Sequence, residues 1–207
     1  MLVSSQAQVT GRYEEQCARV RLRCPRCFGS IGYLSDENAM PFDCLTCKTR
    51  LACEQGIWKA LLPERLARYA RFMQDYESIR ASEGRGSTNA DYYLALPYRD
   101  LSGLLSSQWT LRARTFRYIE HRILPRIATL THNRLRVLDL GAGNCWMSYR
   151  LASEGHAPVA VDLLANDQDG LGAATHYKQQ LISLFPRFQA ELDNLPFADA
   201  QFDLVIF

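Results

Sequence analysis

The 207-residue chain has no apolar run approaching the roughly 20 residues that a bilayer-spanning helix needs. Its start, Met1 to Thr10, holds neither the basic cluster nor the apolar stretch of a secretory signal peptide. Internal repeats and low-complexity tracts are missing too. With 47% hydrophobic and 22% charged residues, the composition excludes collagen-like and wholly disordered chains. These absences predict a soluble, cytoplasmic protein with a sizeable core. The length exceeds one typical domain of about 100–150 residues and falls short of two, so one domain with a small module is expected.

Charge is unevenly spread. Residues 1–136 hold 21 Lys and Arg against 13 Asp and Glu, a net +8, whereas residues 137–207 hold 3 against 9, a net −6. Either an anionic partner for the first part or arginines solvating helix faces would account for this.

Seven cysteines without an export signal argue against a disulfide framework. Cys24-Pro25-Arg26-Cys27 and Cys44-Leu45-Thr46-Cys47 are separated by 16 residues. Two thiolates on one tight turn reach the same ion, and a second such knuckle completes the tetrahedral S4 shell that zinc prefers. Cys24, Cys27, Cys44 and Cys47 are therefore expected to hold a structural zinc in a ribbon, with a hairpin through Ile31, Tyr33 and Leu34 and a polar turn at Ser35 to Asn38. Four protein thiolates leave no position open for a catalytic water, so the metal is assigned to folding or substrate docking. Cys17 and Cys53 stand outside the pattern and read as ordinary thiols.

Beyond Trp58, Pro63 suits a first helical turn, and Leu66, Tyr69, Met73, Tyr76 and Ile79 recur at three- and four-residue steps. That stripe predicts inward packing, with Arg65, Arg68 and Arg71 on the other side, where a solvated face is the default and phosphate contact the alternative. Ser82 to Ser87 carries two glycines and breaks the helix. The tyrosines of Asp91 to Tyr98 either pack between modules or line a pocket for a planar substrate, packing being the stronger reading. A second helix runs from about Ser106 to Leu124, with Trp109, Ala113, Phe116, Ile119 and Ile123 on one face.

At Arg136 the pattern changes. Val137-Leu138-Asp139-Leu140 is a short strand running into Gly141-Ala142-Gly143, followed by a helix from Met147 to Glu154 and a second strand, Pro158 to Asp162. This is a βαβ unit whose glycine turn lies at the carboxyl end of its first strand, where open α/β sheets place nucleotides. Asp162 stands where a carboxylate can accept both hydroxyls of a ribose. A dinucleotide fingerprint would need a third glycine where Trp146 stands, so a nucleoside without phosphates fits better.

These residues resemble the class I S-adenosylmethionine-dependent methyltransferases. Val137 to Gly143 is similar to their first motif, Val161-Asp162 to their ribose-binding acid, Glu191 to Phe197 to the stretch between their third and fourth strands, and Phe202 to Phe207 to their fourth strand. The resemblance covers about residues 106–207. It implies a partial Rossmann-like α/β sheet of about four strands, preceded by the ribbon and a helical linker. The chain then divides into a zinc-ribbon module at 1–58, a linker at 59–105 and the N-terminal half of a methyltransferase domain at 106–207. The zinc ribbon ahead of the cofactor domain is similar in arrangement to bacterial rRNA guanine-N1 methyltransferases.

The resemblance implies S-adenosylmethionine as cofactor. It gives Asp139 the organisation of the glycine turn near the methionine part and makes Gly141 and Gly143, with Ala142 between them, the close-approach residues. Asp162, followed by Leu163, would hold the ribose, and Glu191, followed by Leu192, would lie near the adenine amino group. Cys145 occupies the last glycine of the family's usual pattern. The loop Leu163 to Gly172 is longer and more acidic than usual and either reshapes the adenosine pocket or is a solvated insertion, the second being the preferred reading. The acceptor is RNA or a small molecule: the basic first part and ribbon favour the former, the tyrosines the latter. The rival reading is a zinc-ribbon adaptor whose nucleoside-binding domain is not catalytic. The family's acceptor-gripping residues follow the fourth strand, so catalytic residues are expected beyond Phe207 and the 207-residue chain is expected to be incompetent by itself.

Overall fold

A computed structural model describes residues 20–34, 40–129 and 134–207; Cys17 and the turn expected at Ser35 to Asn38 lie outside the described residues. The ribbon region forms short strands β1 (Arg21–Arg23), β2 (Ser30–Tyr33), β3 (Phe42–Asp43), β4 (Arg50–Leu51), β5 (Cys53–Glu54) and β6 (Ile57–Lys59). Helices α1 (Pro63–Ser82), α2 (Ala90–Ala95), α3 (Ser106–Tyr118) and α4 (Leu124–Ala128) follow, and then β7 (Arg136–Leu140), α5 (Trp146–Ser153) and β8 (Ala157–Asp162). A 3-10 segment at Leu171–Tyr177 leads to β9 (Arg187–Gln189) and β10 (Leu204–Ile206).

The α/β class is as expected, with one difference. β10, β7, β8 and β9 are the four strands foreseen, but the sheet has six, in the order β10-β7-β8-β9-β6-β5. Every neighbouring pair is parallel except β5 with β6. The ribbon's last strand thus pairs along the edge of β9, with Ile57 opposite Arg187 and Trp58 opposite Phe188. An open apolar edge at β9 would be a template for association, and β6 covers it. The sequence break at Trp58 falls inside this strand.

Strand alternation sends successive side chains to opposite faces. Val137 joins Phe116, Leu124 and Leu151 on the face covered by the helices, while Leu138 joins Val159, Val161 and Phe188 on the other. Leu22, Leu34 and Leu51 of the ribbon are buried in that second cluster, so ribbon and sheet share one core. Rings continue across the junction: Phe42 to Trp58 at 5.4 Å, Trp58 stacked on Phe188 at 6.1 Å, and Phe188 against Phe197 at 4.8 Å. The backbone joins them as well, Arg23 N donating to Pro196 O and Ala198 N to Arg21 O, both at 3.0 Å.

The second helix buries Trp109, Ala113 and Phe116 as expected but changes pitch, with a π turn at Ile119–Ile123 before α4. Pro125 has no N–H to offer the carbonyl of His121, and the ladder slips there. The tyrosines of α2 are core: Tyr92 and Tyr93 are buried and meet edge to face at 5.0 Å.

Helix α1 departs from expectation. None of its residues is buried, and Leu66 and Ile79 of the apolar stripe are exposed. Its inward side is polar, carrying Arg65, Tyr69, Glu77 and Arg80, each hydrogen-bonded to the parallel-sheet part of the chain. Arg65 is therefore a docking residue, while Arg68 and Arg71 remain exposed. Among the described residues no helix is long and apolar enough to cross a membrane.

Candidate functional site

β7 runs into a turn tied to the end of β8, where Gly141 N and Ala142 N both donate to Val161 O, at 2.8 and 3.0 Å. Gly141 has φ +72, a conformation most side chains resist, and a Cβ placed on it would meet no atom within 4 Å. The turn thus presents bare backbone to open space. Cys145 caps α5 at φ 62, so its backbone takes a left-handed conformation where the family's glycine would be, at some strain for a residue with a buried side chain.

Below the turn, Asp139 is buried and accepts from Ser148 Oγ at 2.6 Å. Burial pushes its carboxyl up to about 6, against the pull of Ser148. The folded state therefore keeps a proton that the unfolded chain gives up near the ordinary carboxylate value. Stability should fall as pH rises from about 4 through about 6, by on the order of 3 kcal/mol for this one group. Asp139→Asn keeps an oxygen for Ser148 and removes the titration. Urea unfolding of both proteins at pH 4 and pH 7 should show the variant gaining about 3 kcal/mol relative to wild type across that interval. Equal pH dependence would contradict the burial argument.

Asp162 ends β8 with its carboxylate at the turn: Oδ2 accepts from Gly143 N and Oδ1 from Leu164 N, each at 2.8 Å. Burial raises this carboxyl, and the Leu164 and Gly143 N–H groups oppose the rise. Asp162, Leu163, Glu191, Leu192 and Gly141 line a cavity of about 440 Å³. Asp139, Gly141, Ala142 and Gly143 line a second of about 230 Å³. Gly141 is common to both, so the residues singled out in the sequence converge on two adjoining cavities.

Several residues around these cavities were not foreseen. Tyr69, Phe72 and Tyr76 of α1 form the wall facing Asp162, with the last two rings stacked at 5.6 Å. Arg80, Trp109, Arg112 and Asp169 line the smaller cavity. Glu191, expected near an adenine amino group, is buried and already engaged. Arg65 Nε donates to both of its oxygens at 2.8 Å, Arg65 Nη2 makes a further short contact, Tyr69 Oη donates at 3.1 Å and Asn194 Nδ2 at 2.9 Å. Arg65 above all, then Asn194 and Tyr69, holds the Glu191 carboxyl below the ordinary carboxylate value.

Glu191 is one of three anchors that lay α1 across the cleft. The second is Asn166 Nδ2 donating to Glu77 Oε1 at 2.7 Å, and the third is the ion pair of Arg80 with Asp169. The loop Leu163 to Gly172 is accordingly packed, not solvated. Asp169 is buried, Asn166 Oδ1 accepts from Gln168 N and Asp169 N, and a Cβ on Gly170 would lie 2.8 Å from Asn166 N and Leu164 O. Nothing in the spacing of Arg65, Tyr69 or Arg80 marks these partners, which are settled only when the chain closes.

The four ribbon cysteines come together with all sulfurs within 4.8 Å of one another. The Cys24–Cys47 and Cys27–Cys44 sulfur separations are both 3.5 Å, near the edge of about 3.8 Å for a tetrahedron with zinc–sulfur bonds of about 2.3 Å. Both knuckles repeat one backbone pattern. Phe28 N donates to Cys24 O and Lys48 N to Cys44 O, each at 2.9 Å, with Phe28 at φ 60 and Lys48 at φ 61. The set could hold one metal ion.

Comparison with known proteins agrees with this geometry. Residues 138–207 match the family model described as "Methyltransferase domain", which supports an S-adenosylmethionine-dependent methyltransferase domain in the second part of the chain. No curated protein matches the chain.

Proposed function

We propose that the chain binds S-adenosylmethionine across the two cavities joined at Gly141 for methyl transfer to an RNA by the completed domain, with a zinc ion in the ribbon serving structure. The observation that carries the cofactor reading is the bare turn at Gly141, open on its ligand side and flanked by the Asp162 carboxylate. The larger cavity suits a nucleoside. Asp162 would accept the ribose hydroxyls, Leu163 and Leu192 supply apolar contact, and Tyr69, Phe72 and Tyr76 offer ring faces to a base. The smaller cavity suits an amino-acid group, and Trp109, which lines it, has a buried indole N–H with no partner among the described residues.

When bound, the cofactor would supply a methyl group activated by its sulfonium for transfer to a nucleophilic acceptor atom, with Gly141, Asp162 and the two cavities holding it. The chain's own contribution is alignment and exclusion of water. Helix α1 closes one side of the cleft through Arg65, Glu77 and Arg80, and the glycine turn allows backbone contact from below.

Two features favour RNA over a small planar acceptor. Of the three tyrosines that favoured a small molecule, Tyr92 and Tyr93 are buried in the core and only Tyr98 is exposed. On the ribbon, exposed Arg21 and Lys48, with Arg26 and Arg50 that also pair with Glu64 and Asp43, accompany exposed Phe28 and Tyr33, a combination suited to phosphates and unstacked bases. The test is transfer of labelled methyl from S-adenosylmethionine into total cellular RNA at low and high salt, by a version of the chain extended through the strands that complete the family's sheet. Label in RNA that falls steeply with salt is expected. Cofactor binding without label in RNA would overturn the proposal and favour the adaptor reading.

A further inference from the structure

The smaller cavity holds a guanidinium that no carboxylate pairs with among the described residues. Of the two arginines on its wall, Arg80 is ion-paired to Asp169. Arg112 of α3 is half-buried, makes no ion pair among the described residues, and lies over the Trp109 ring at 4.6 Å. The cavity's other acid, Asp139, is hydrogen-bonded to Ser148 and makes no ion pair with Arg112. Burial first, and then Arg85 and Arg80, hold Arg112 below the ordinary guanidinium value, as expected for a cation lacking its anion. Beside it is the Trp109 indole N–H, buried and without a partner among the described residues.

A half-buried guanidinium without a carboxylate and an orphan N–H are costly unless a ligand completes them. At about 230 Å³ the cavity takes an amino-acid group and not a nucleotide, and it opens at Gly141 into the larger one. We propose that Arg112, with Trp109 beside it, receives the α-carboxylate of the cofactor's amino-acid end and makes this chain discriminate against decarboxylated forms of the cofactor. This rests on the cofactor reading above and adds a specificity residue from α3, outside the glycine-turn motif. A guanidinium meets a carboxylate in a paired, charge-assisted geometry, whereas the decarboxylated form would bring only an ammonium toward two arginines.

The test uses calorimetric binding by the full chain of two ligands that differ only in the carboxylate: S-adenosylhomocysteine and its decarboxylated analogue, S-adenosyl-3-thiopropylamine. Wild type should prefer the former by about tenfold or more, the range for a hydrogen bond to a charged group. Arg112→Ala should bring the ratio to within about twofold of one by weakening S-adenosylhomocysteine alone, with the analogue bound as well as before or better. Arg112→Lys should keep part of the preference, and it serves as the second variant should the alanine variant fail to fold. Equal wild-type affinities, or a preference that survives both substitutions, would overturn the assignment while leaving the cofactor reading intact. Binding of neither ligand to wild type would overturn both.

Discussion

Cys24→Ser should cost the chain its zinc and, with it, the cooperative unfolding of the whole parallel sheet, not of the ribbon alone. In isolated zinc-finger peptides, metal binding contributes on the order of 10 kcal/mol to folding, comparable with the roughly 5–15 kcal/mol that holds an ordinary domain together. Here the ribbon has no separate core, since Leu22, Leu34 and Leu51 are buried among Val159, Val161 and Phe188. Releasing the knuckles would uncover that face of the sheet and free the hairpin β5–β6 from β9. Wild type purified without chelator should carry one zinc by elemental analysis. The variant should carry none and should lose the near-ultraviolet circular dichroism of Trp58, which is 2% exposed and stacked on Phe188. A metal content near zero in wild type, or a variant with the wild-type urea midpoint, would refute the assignment.

Asp162→Ala should weaken S-adenosylmethionine binding by about 1.5–3 kcal/mol, the range for hydrogen bonds to a charged group. Its carboxylate already accepts from Gly143 and Leu164, so the substitution also loosens the glycine turn. Asp162→Asn separates the two effects, because it keeps side-chain volume and one acceptor oxygen while losing the charge. Affinity measured by calorimetry should fall in the order wild type, Asn, Ala, with the Asn variant melting close to wild type. Unchanged affinity in the alanine variant would move the ribose site elsewhere.

What the sequence disclosed is what short contiguous segments decide. Val137 to Gly143 is a strand and its turn in one stretch, and each cysteine knuckle closes within four residues, so type and spacing suffice. The rest depended on pairs that meet only in the folded chain: Arg65 with Glu191 is 126 residues apart in sequence, and Arg80 with Asp169 is 89. Helix α1 shows why the stripe of Leu66 and Ile79 misled. An apolar face seeks a core only when the helix lies on one, and α1 lies over a cleft whose far side offers Glu191, Asn166 and Asp169. Its anchored face is therefore polar and aromatic. By the same reasoning Asp169 reads as a solvated acid until Arg80 is beside it.

The pairing of β6 with β9 also constrains the order in which the molecule can be built. Lys59 and Gln189 are 130 residues apart, whereas the sulfurs of the knuckles meet across only 17 and 23. On a ribosome releasing the chain from its N-terminus, both knuckles are complete when Cys47 emerges, long before Arg187–Gln189 exists. Contacts of such long range are slow to form, and an unpaired strand exposed meanwhile invites misassembly. Early metal loading would fix Leu22 and Leu51 in place and hold the Ile57–Lys59 strand on a preformed platform. The later strands could then condense onto this nascent nucleus, so the ion would act as an assembly factor as well as a staple in the finished protein.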